Sequence, residues 1–196
     1  MILRFDKYSL NEGIYDKDIN DLTKVLSKLI KQNFYEDGFE YDTIFEEDIH
    51  IGKFEVELVV TLNIDTMSKF DFDIDASTDE FSMEIDITIN PIMFPELLSD
   101  LIPSIKGVIR HETEHVKQSK SNIQFNAVGT SIYDYFLFDY EIPAFVEEMK
   151  VRSKYYKKPL DIIIKMFLND YNLTEEELNN VINSWMEYSK TKKIVK

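Results

Sequence analysis

Two of the three histidines in this 196-residue chain stand in His111-Glu112-Thr113-Glu114-His115, an H-E-x-x-H. A metal site needs two imidazoles converging on one point. Positions i and i+4 of a helix differ by about 40° around the axis and meet that need. Glu112 lies about 80° to one side, in reach of a metal-bound water rather than of the metal. Zinc lowers the pKa of such a water to about 7. Glu112 is then placed to take its proton and pass it to a leaving amine, as a general base. Composition alone produces about 0.004 such matches in a chain of this kind, so coincidence is a poor account.

A catalytic zinc takes three protein ligands and keeps one position open. No histidine follows His115, and Gln118 stands where an H-E-x-x-H-x-x-G-x-x-H pattern requires glycine. The third ligand is therefore expected to be a carboxylate. Glu141 is the best candidate: it opens Glu141-Ile-Pro-Ala144 at the start of the next helix, and Ala144 leaves room for two helices to approach. Asp134, Asp139, Glu147 and Glu148 compete with it, and a carboxylate in a first turn also favours the helix dipole without any metal. Oxyanion stabilisation can come from Tyr133, Tyr135, Tyr140, Arg152 or Tyr155, with Tyr135 and Tyr140 preferred. His50 lies far upstream on an expected strand end, where a surface or packing role suits it better than ligation.

The elements around these residues follow from periodicity. Ile19, Leu22, Val25, Leu26, Leu29 and Ile30 recur at helical spacing, and Asp16 to Phe34 is expected to be a helix ended by Asp37-Gly38. From about Thr43 to Asn90 the period becomes two. Phe54, Val56, Leu58, Val60 and Leu62 alternate with polar residues, as do Phe81, Met83, Ile85, Ile87 and Ile89, and both runs are expected to be half-buried antiparallel strands. Asp71-Phe-Asp73-Ile-Asp75 lacks the glycine and glutamate of a calcium loop and suits an amphipathic strand with an acidic face. A helix is expected from near Pro103 through about Gln118, followed by a polar connection from Ser119 to Thr130. Asp139 is a plausible N-cap for a helix to about Tyr156, with Pro143 in its first turn. A further helix runs from Lys158-Pro159 to about Leu168. Thr174-Glu-Glu-Glu177 is a capping box opening a last helix to about Tyr188. Helix, then strands, then helices makes an α+β chain.

His111-Glu-Thr-Glu-His115-Val-Lys-Gln118 followed by Glu141-Ile-Pro-Ala144 resembles the zincin metallopeptidases of the gluzincin branch, most of all small phage-type peptidases with an HExxH…ExxA pattern. The motifs lie within 34 residues, His111 to Ala144. The resemblance implies one zincin-like domain over 1–196, with helix, sheet and active-site helix in 1–118 and a helical lobe in 119–196. It implies an endopeptidase-type zinc hydrolase acting on a protein or peptide substrate, with His111, His115 and Glu141 as zinc ligands and Glu112 as general base. It also implies an edge strand that pairs with extended substrate, and Phe81–Asn90 matches that strand in order. Larger gluzincins often carry an acidic residue four positions after the glutamate ligand, to orient a histidine; Phe145 stands there in this chain, which leaves the orienting partner unassigned.

Composition narrows the alternatives. Lys and Arg number 22 against 37 Asp and Glu, a net charge of −15, with a pI near 4.6. That balance opposes binding to nucleic-acid phosphates or to anionic membranes. No cysteine is present, so disulfides and thiolate ligands are excluded. No apolar run reaches membrane length and no apolar leader opens the sequence. These features suit a cytoplasmic protein, in a host cytoplasm if phage-encoded. The competing functions are a non-catalytic binding protein with a structural metal and an acidic inhibitor or DNA mimic. The second expects acids gathered in a stripe, whereas the sequence spreads them through every segment. The last residues, Lys190-Thr-Lys-Lys-Ile-Val-Lys196, form a basic end. A frayed, solvated tail is expected there, although attraction to the acidic body would favour folding back.

Overall fold

The computed structural model describes residues 9–37, 43–79, 81–119 and 131–191. The polar connection between Ser119 and Thr130 and the lysine-rich end beyond Thr191 lie outside them. The chain is α+β and divides into two compact units, Met1–Lys106 and Gly107–Lys196. No helix among the described residues is long and apolar enough to cross a membrane.

In the first unit, helix α1 (Ser9–Asp37) is longer than its apolar repeat. Of the expected stripe it buries Ile19, Leu22, Leu26 and Ile30, whereas Leu29 is half-buried and Val25 is exposed. Four strands follow: β1 (Thr43–Ile51), β2 (Phe54–Ile64), β3 (Phe72–Thr78) and β4 (Ser82–Ile89), in the spatial order β1-β2-β4-β3. The β1–β2 turn is fixed by Gly52 at φ +63°, whose N–H donates to Asp18 Oδ2 of α1 at 2.7 Å. A Cβ there would lie 2.6 Å from the Tyr15 ring, so glycine answers both the backbone and the space.

Two expectations for the strands are corrected. β2 and β4 run parallel to each other, in the register Leu58↔Met83, Val60↔Ile85 and Leu62↔Ile87. Each is antiparallel only to its outer neighbour, β1 or β3. The cause is connectivity: the chain runs out along β2, back along β3 and out again along β4, which inserts between them. The Phe81–Asn90 segment is therefore no edge strand, because β4 is hydrogen-bonded on both sides. Met83, Ile85, Ile87 and Ile89 are all buried, at roughly 1.5–3 kcal/mol for each such side chain. That burial suits an interior position. The edges go to β1 and to β3, where Asp73 and Asp75 are exposed and discourage further pairing.

The pleat also collects charge. Asp48 pairs with Glu57, Glu84 with Val59, and Asp86 with both Thr61 and Asp75, so exposed carboxylates from all four strands share one sheet face. Their scatter along the chain conceals this, because alternation sends every second residue to one side. His50, opposite Glu55 on β1, is exposed, in keeping with a surface role.

Helix α2 (Leu98–Ser119) begins earlier than expected, and Pro103 lies inside it. Pro103 falls in the second turn, where it removes a single backbone donor. The second unit holds the rest of α2 from Gly107, then α3 (Ile132–Phe136), α4 (Glu141–Tyr156), α5 (Leu160–Leu168) and α6 (Glu175–Thr191). Its core joins Phe136, Phe145, Val146, Met149, Ile163, Ile164, Leu168, Val181 and Trp185. The Trp185 indole N–H donates to the Phe136 carbonyl at 2.8 Å. The capping box of α6 is formed in both directions: the Glu177 N–H donates to Thr174 Oγ1 at 3.3 Å, and the Thr174 N–H to Glu177 Oε2 at 2.8 Å. Asp139 does not cap α4. The cap residue is Tyr140, and the Phe138 carbonyl accepts from the N–H groups of Glu141 and Ile142, so the turn leaving α3 meets the need that a side chain would otherwise serve.

Candidate metal centre

The HExxH segment is buried as far as Glu114, and His115 is half-buried. Arg110, His111, Glu112, Thr113 and Glu114 are consecutive polar residues, and none is more than 6% exposed. Buried charge is costly unless it is paired, so a solvated helix carrying two surface histidines does not describe α2. Each of these side chains has a distinct outlet. Thr113 Oγ1 donates back to the Ile109 carbonyl at 2.7 Å. Arg110 lies 3.1 Å from Glu147 and 3.7 Å from Glu114, while Lys117 and Lys150 reach Glu114 and Glu147 from outside.

His111 and His115 face one point together with Glu141, the first residue of α4. The two Nε2 atoms are 3.0 Å apart, and each lies 3.3 Å from Glu141 Oε2. One ligand atom from each of the three residues falls within 4.8 Å of the others. Ala144, one turn along α4, is completely buried. A second small residue, which the sequence reading passed over, matters as much: a Cβ on Gly107 would lie 3.0 Å from Glu148 Cγ. Gly107 and His111 are one turn apart on the same face of α2, so glycine there permits a close crossing of α4.

The outer partners fix which nitrogen is free. Gln118 Nε2 donates to the Tyr140 carbonyl at 2.8 Å, which aims its Oε1 at His115 Nδ1, 3.0 Å away. The Gln118 oxygen can only accept, so Nδ1 carries the proton and Nε2 is left as the lone pair. His111 Nδ1 lies 3.3 Å from Glu148 Oε2, a charge contact without hydrogen-bond geometry that favours a proton on the same nitrogen. Neutral imidazoles in these tautomers would set two lone pairs and a carboxylate oxygen against one another at 3.0–3.3 Å. A cation there, or a proton on one Nε2, relieves the repulsion.

In the metal-free protein a proton serves. Burial works against charge on His111, but Glu141 and Glu148 outweigh it and raise its pKa to about 10. Burial likewise opposes charge on Glu141, yet both imidazoles hold it down to about 2. The donor set fits a divalent ion: two imidazole nitrogens and a carboxylate are ordinary zinc ligands. Glu141 Oε2 is buried and accepts no hydrogen bond of good geometry, although three charged or polar rings surround it.

Glu112 is 5% exposed, and its charge acts on both His111 and Tyr135. Burial of Tyr135, then the charge of the Glu141 carboxylate, pushes its hydroxyl pKa up. The Tyr140 ring lies 6.4 Å from the His115 ring. Of the oxyanion candidates these two stand at the triad. Tyr133 accepts from Asn180 at 2.9 Å, Tyr155 is exposed, and Arg152 donates to Glu148 at 2.6 Å. The rival carboxylates are also accounted for. Asp134 accepts from Ser131 at the start of α3, Asp139 is exposed, Glu147 serves Arg110, and Glu148 approaches His111 from the Nδ1 side. Phe145 stacks on Trp185 at 4.8 Å and meets the His111 ring edge-on at 4.6 Å, tying the centre to the helical core.

Comparison with protein-family models, with curated proteins and with solved structures found no match for this chain.

Proposed function

We propose that the chain is a zinc-dependent peptidase of the zincin type, with His111, His115 and Glu141 as ligands and Glu112 as general base. The observation that carries this reading is the convergence of two Nε2 atoms and Glu141 Oε2, with both Nδ1 atoms turned toward outer acceptors. Bound zinc supplies a Lewis acid and lowers the pKa of a water to about 7. Glu112 takes a proton from the attacking water as its oxygen bonds to the peptide carbonyl carbon. It returns that proton to the amide nitrogen as the C–N bond breaks, giving a free carboxylate and an amine. Tyr135 or Tyr140 donates a hydrogen bond to the carbonyl oxygen as charge develops on it. The absence of cysteine, with the carboxylate-and-imidazole set, suits work in a cytoplasm.

The test is Glu112→Gln. It keeps the metal and abolishes hydrolysis of an unstructured protein such as casein. Loss of metal along with activity reassigns Glu112 as a ligand. Wild-type protein that holds zinc and cleaves nothing supports the non-catalytic reading.

The acidic sheet face favours a second reading, a surface that binds a basic protein as a nucleic-acid mimic does. It predicts salt-sensitive binding to a basic protein that survives Glu112→Gln and loss of the metal alike.

A further inference from the structure

The position four residues after Glu141, where an acidic residue would orient a ligand histidine, is Phe145, and its ring is committed to the core. We propose that Glu148, held by Arg152 across Gly107, is the positioning residue for His111; this rests on the metal reading above. Glu148 lies two turns beyond Glu141 on α4 and is 4% exposed. One of its oxygens accepts from the Arg152 guanidinium at 2.6 Å. The other faces His111 Nδ1 at 3.3 Å. A carboxylate anchored at one oxygen cannot turn away, so the second stays aimed at the imidazole. Arg152 is itself restrained, with its guanidinium 5.8 Å above the Phe167 ring.

Gly107 makes this geometry possible. A Cβ there would press on Glu148 Cγ at 3.0 Å and on Arg152 Nε at 3.3 Å. The pair therefore occupies the space an alanine side chain would fill. Glu147, one residue earlier, cannot stand in, because it faces Arg110 and Lys150. The two imidazoles thus receive different partners: His115 a neutral amide from Gln118, His111 an anionic carboxylate from Glu148. An anionic acceptor on Nδ1–H fixes the tautomer and makes the opposite nitrogen a stronger donor to a metal.

The experiment measures zinc affinity by chelator competition and, in the zinc-bound full chain, the exchange of the His111 Nδ1 proton with water by 15N NMR. Glu148→Ala is expected to weaken zinc binding about 10–100-fold and, in the zinc-bound chain, to speed exchange of the His111 Nδ1 proton with water. Glu148→Gln keeps an acceptor, so it keeps the Nδ1 proton protected, with a smaller loss of affinity. Gly107→Ala should weaken zinc as Glu148→Ala does. Displacement of α4 by the new methyl weakens zinc as well, so the His111 Nδ1 proton, not affinity, separates positioning from a merely structural role. Where Glu148→Ala does not fold, the other two variants decide. Zinc bound by all three variants as tightly as by wild type, with His111 unchanged, overturns the positioning role and leaves the metal reading standing. Wild type that takes up no zinc overturns the metal reading itself.

Discussion

Glu147 and Glu148 are consecutive buried carboxylates that serve different cations: Glu147 lies 3.1 Å from Arg110, and Glu148 lies 2.6 Å from Arg152 and 3.3 Å from His111. Successive residues of a helix point about 100° apart, so one step divides a structural ion pair from a candidate metal shell. Glu141, two turns before Glu148, completes the three-residue centre.

The metal content should follow that division. Wild-type protein is expected to hold about one zinc per chain, the number a single three-ligand centre takes. His111→Ala, His115→Ala and Glu141→Ala should each lose stoichiometric zinc by elemental analysis, whereas Glu147→Ala should retain it. Full zinc in the Glu141 variant would move the third ligand elsewhere.

Glu147→Ala should instead damage stability. It strands Arg110, whose side chain is 5% exposed, and removing one partner of a buried pair costs about 3–5 kcal/mol. Glu114, 3.7 Å from Arg110, offsets part of that. Denaturant unfolding of the metal-free variant reads the loss. A change below about 1 kcal/mol, the scale of an exposed pair, would mean that water reaches Arg110.

The metal-free protein should lose stability at high pH. His111 has a raised folded pKa near 10, so its contribution is complete below its ordinary value of 6.5 and fades as pH climbs toward 10. Glu141 has a lowered folded pKa near 2, so its contribution is present above 4.5 and is lost as pH falls toward 2. Thermal unfolding of the zinc-free protein should therefore be best between those two ordinary values. His111→Ala should flatten the alkaline limb. An alkaline limb of the same slope in that variant would assign the effect to other groups.

Gly52→Ala should destabilise the first unit. The residue adopts φ +63°, and its new methyl would meet Tyr15 at 2.6 Å. The left-handed conformation alone costs an alanine roughly 1 kcal/mol, and moving the ring adds to it. A melting temperature equal to wild type would show that the turn relaxes freely. Zinc content should not change, since the ligands lie in the other unit.

Much was legible in the sequence because it depends on local periodicity. The apolar stripe of α1, the alternation of β2 and β4, the capping box of α6 and the i, i+4 spacing of His111 and His115 are each written within one element. Glu141 could be nominated from its place at a helix start. What only the tertiary structure decided involves residues distant in sequence. Alternation within β4 says which face it buries, but not that it lies between β2 and β3 or runs parallel to β2; that depends on the path between strands. The shared acidic face has the same origin, since register aligns carboxylates from separate segments. At the centre, Gln118 reads as a missing glycine and Glu148 as one of several acids. Their acceptor roles appear only when α4 crosses α2. Gly107 carried no signal beyond its type, because the side chain it must make room for stands 41 residues further on.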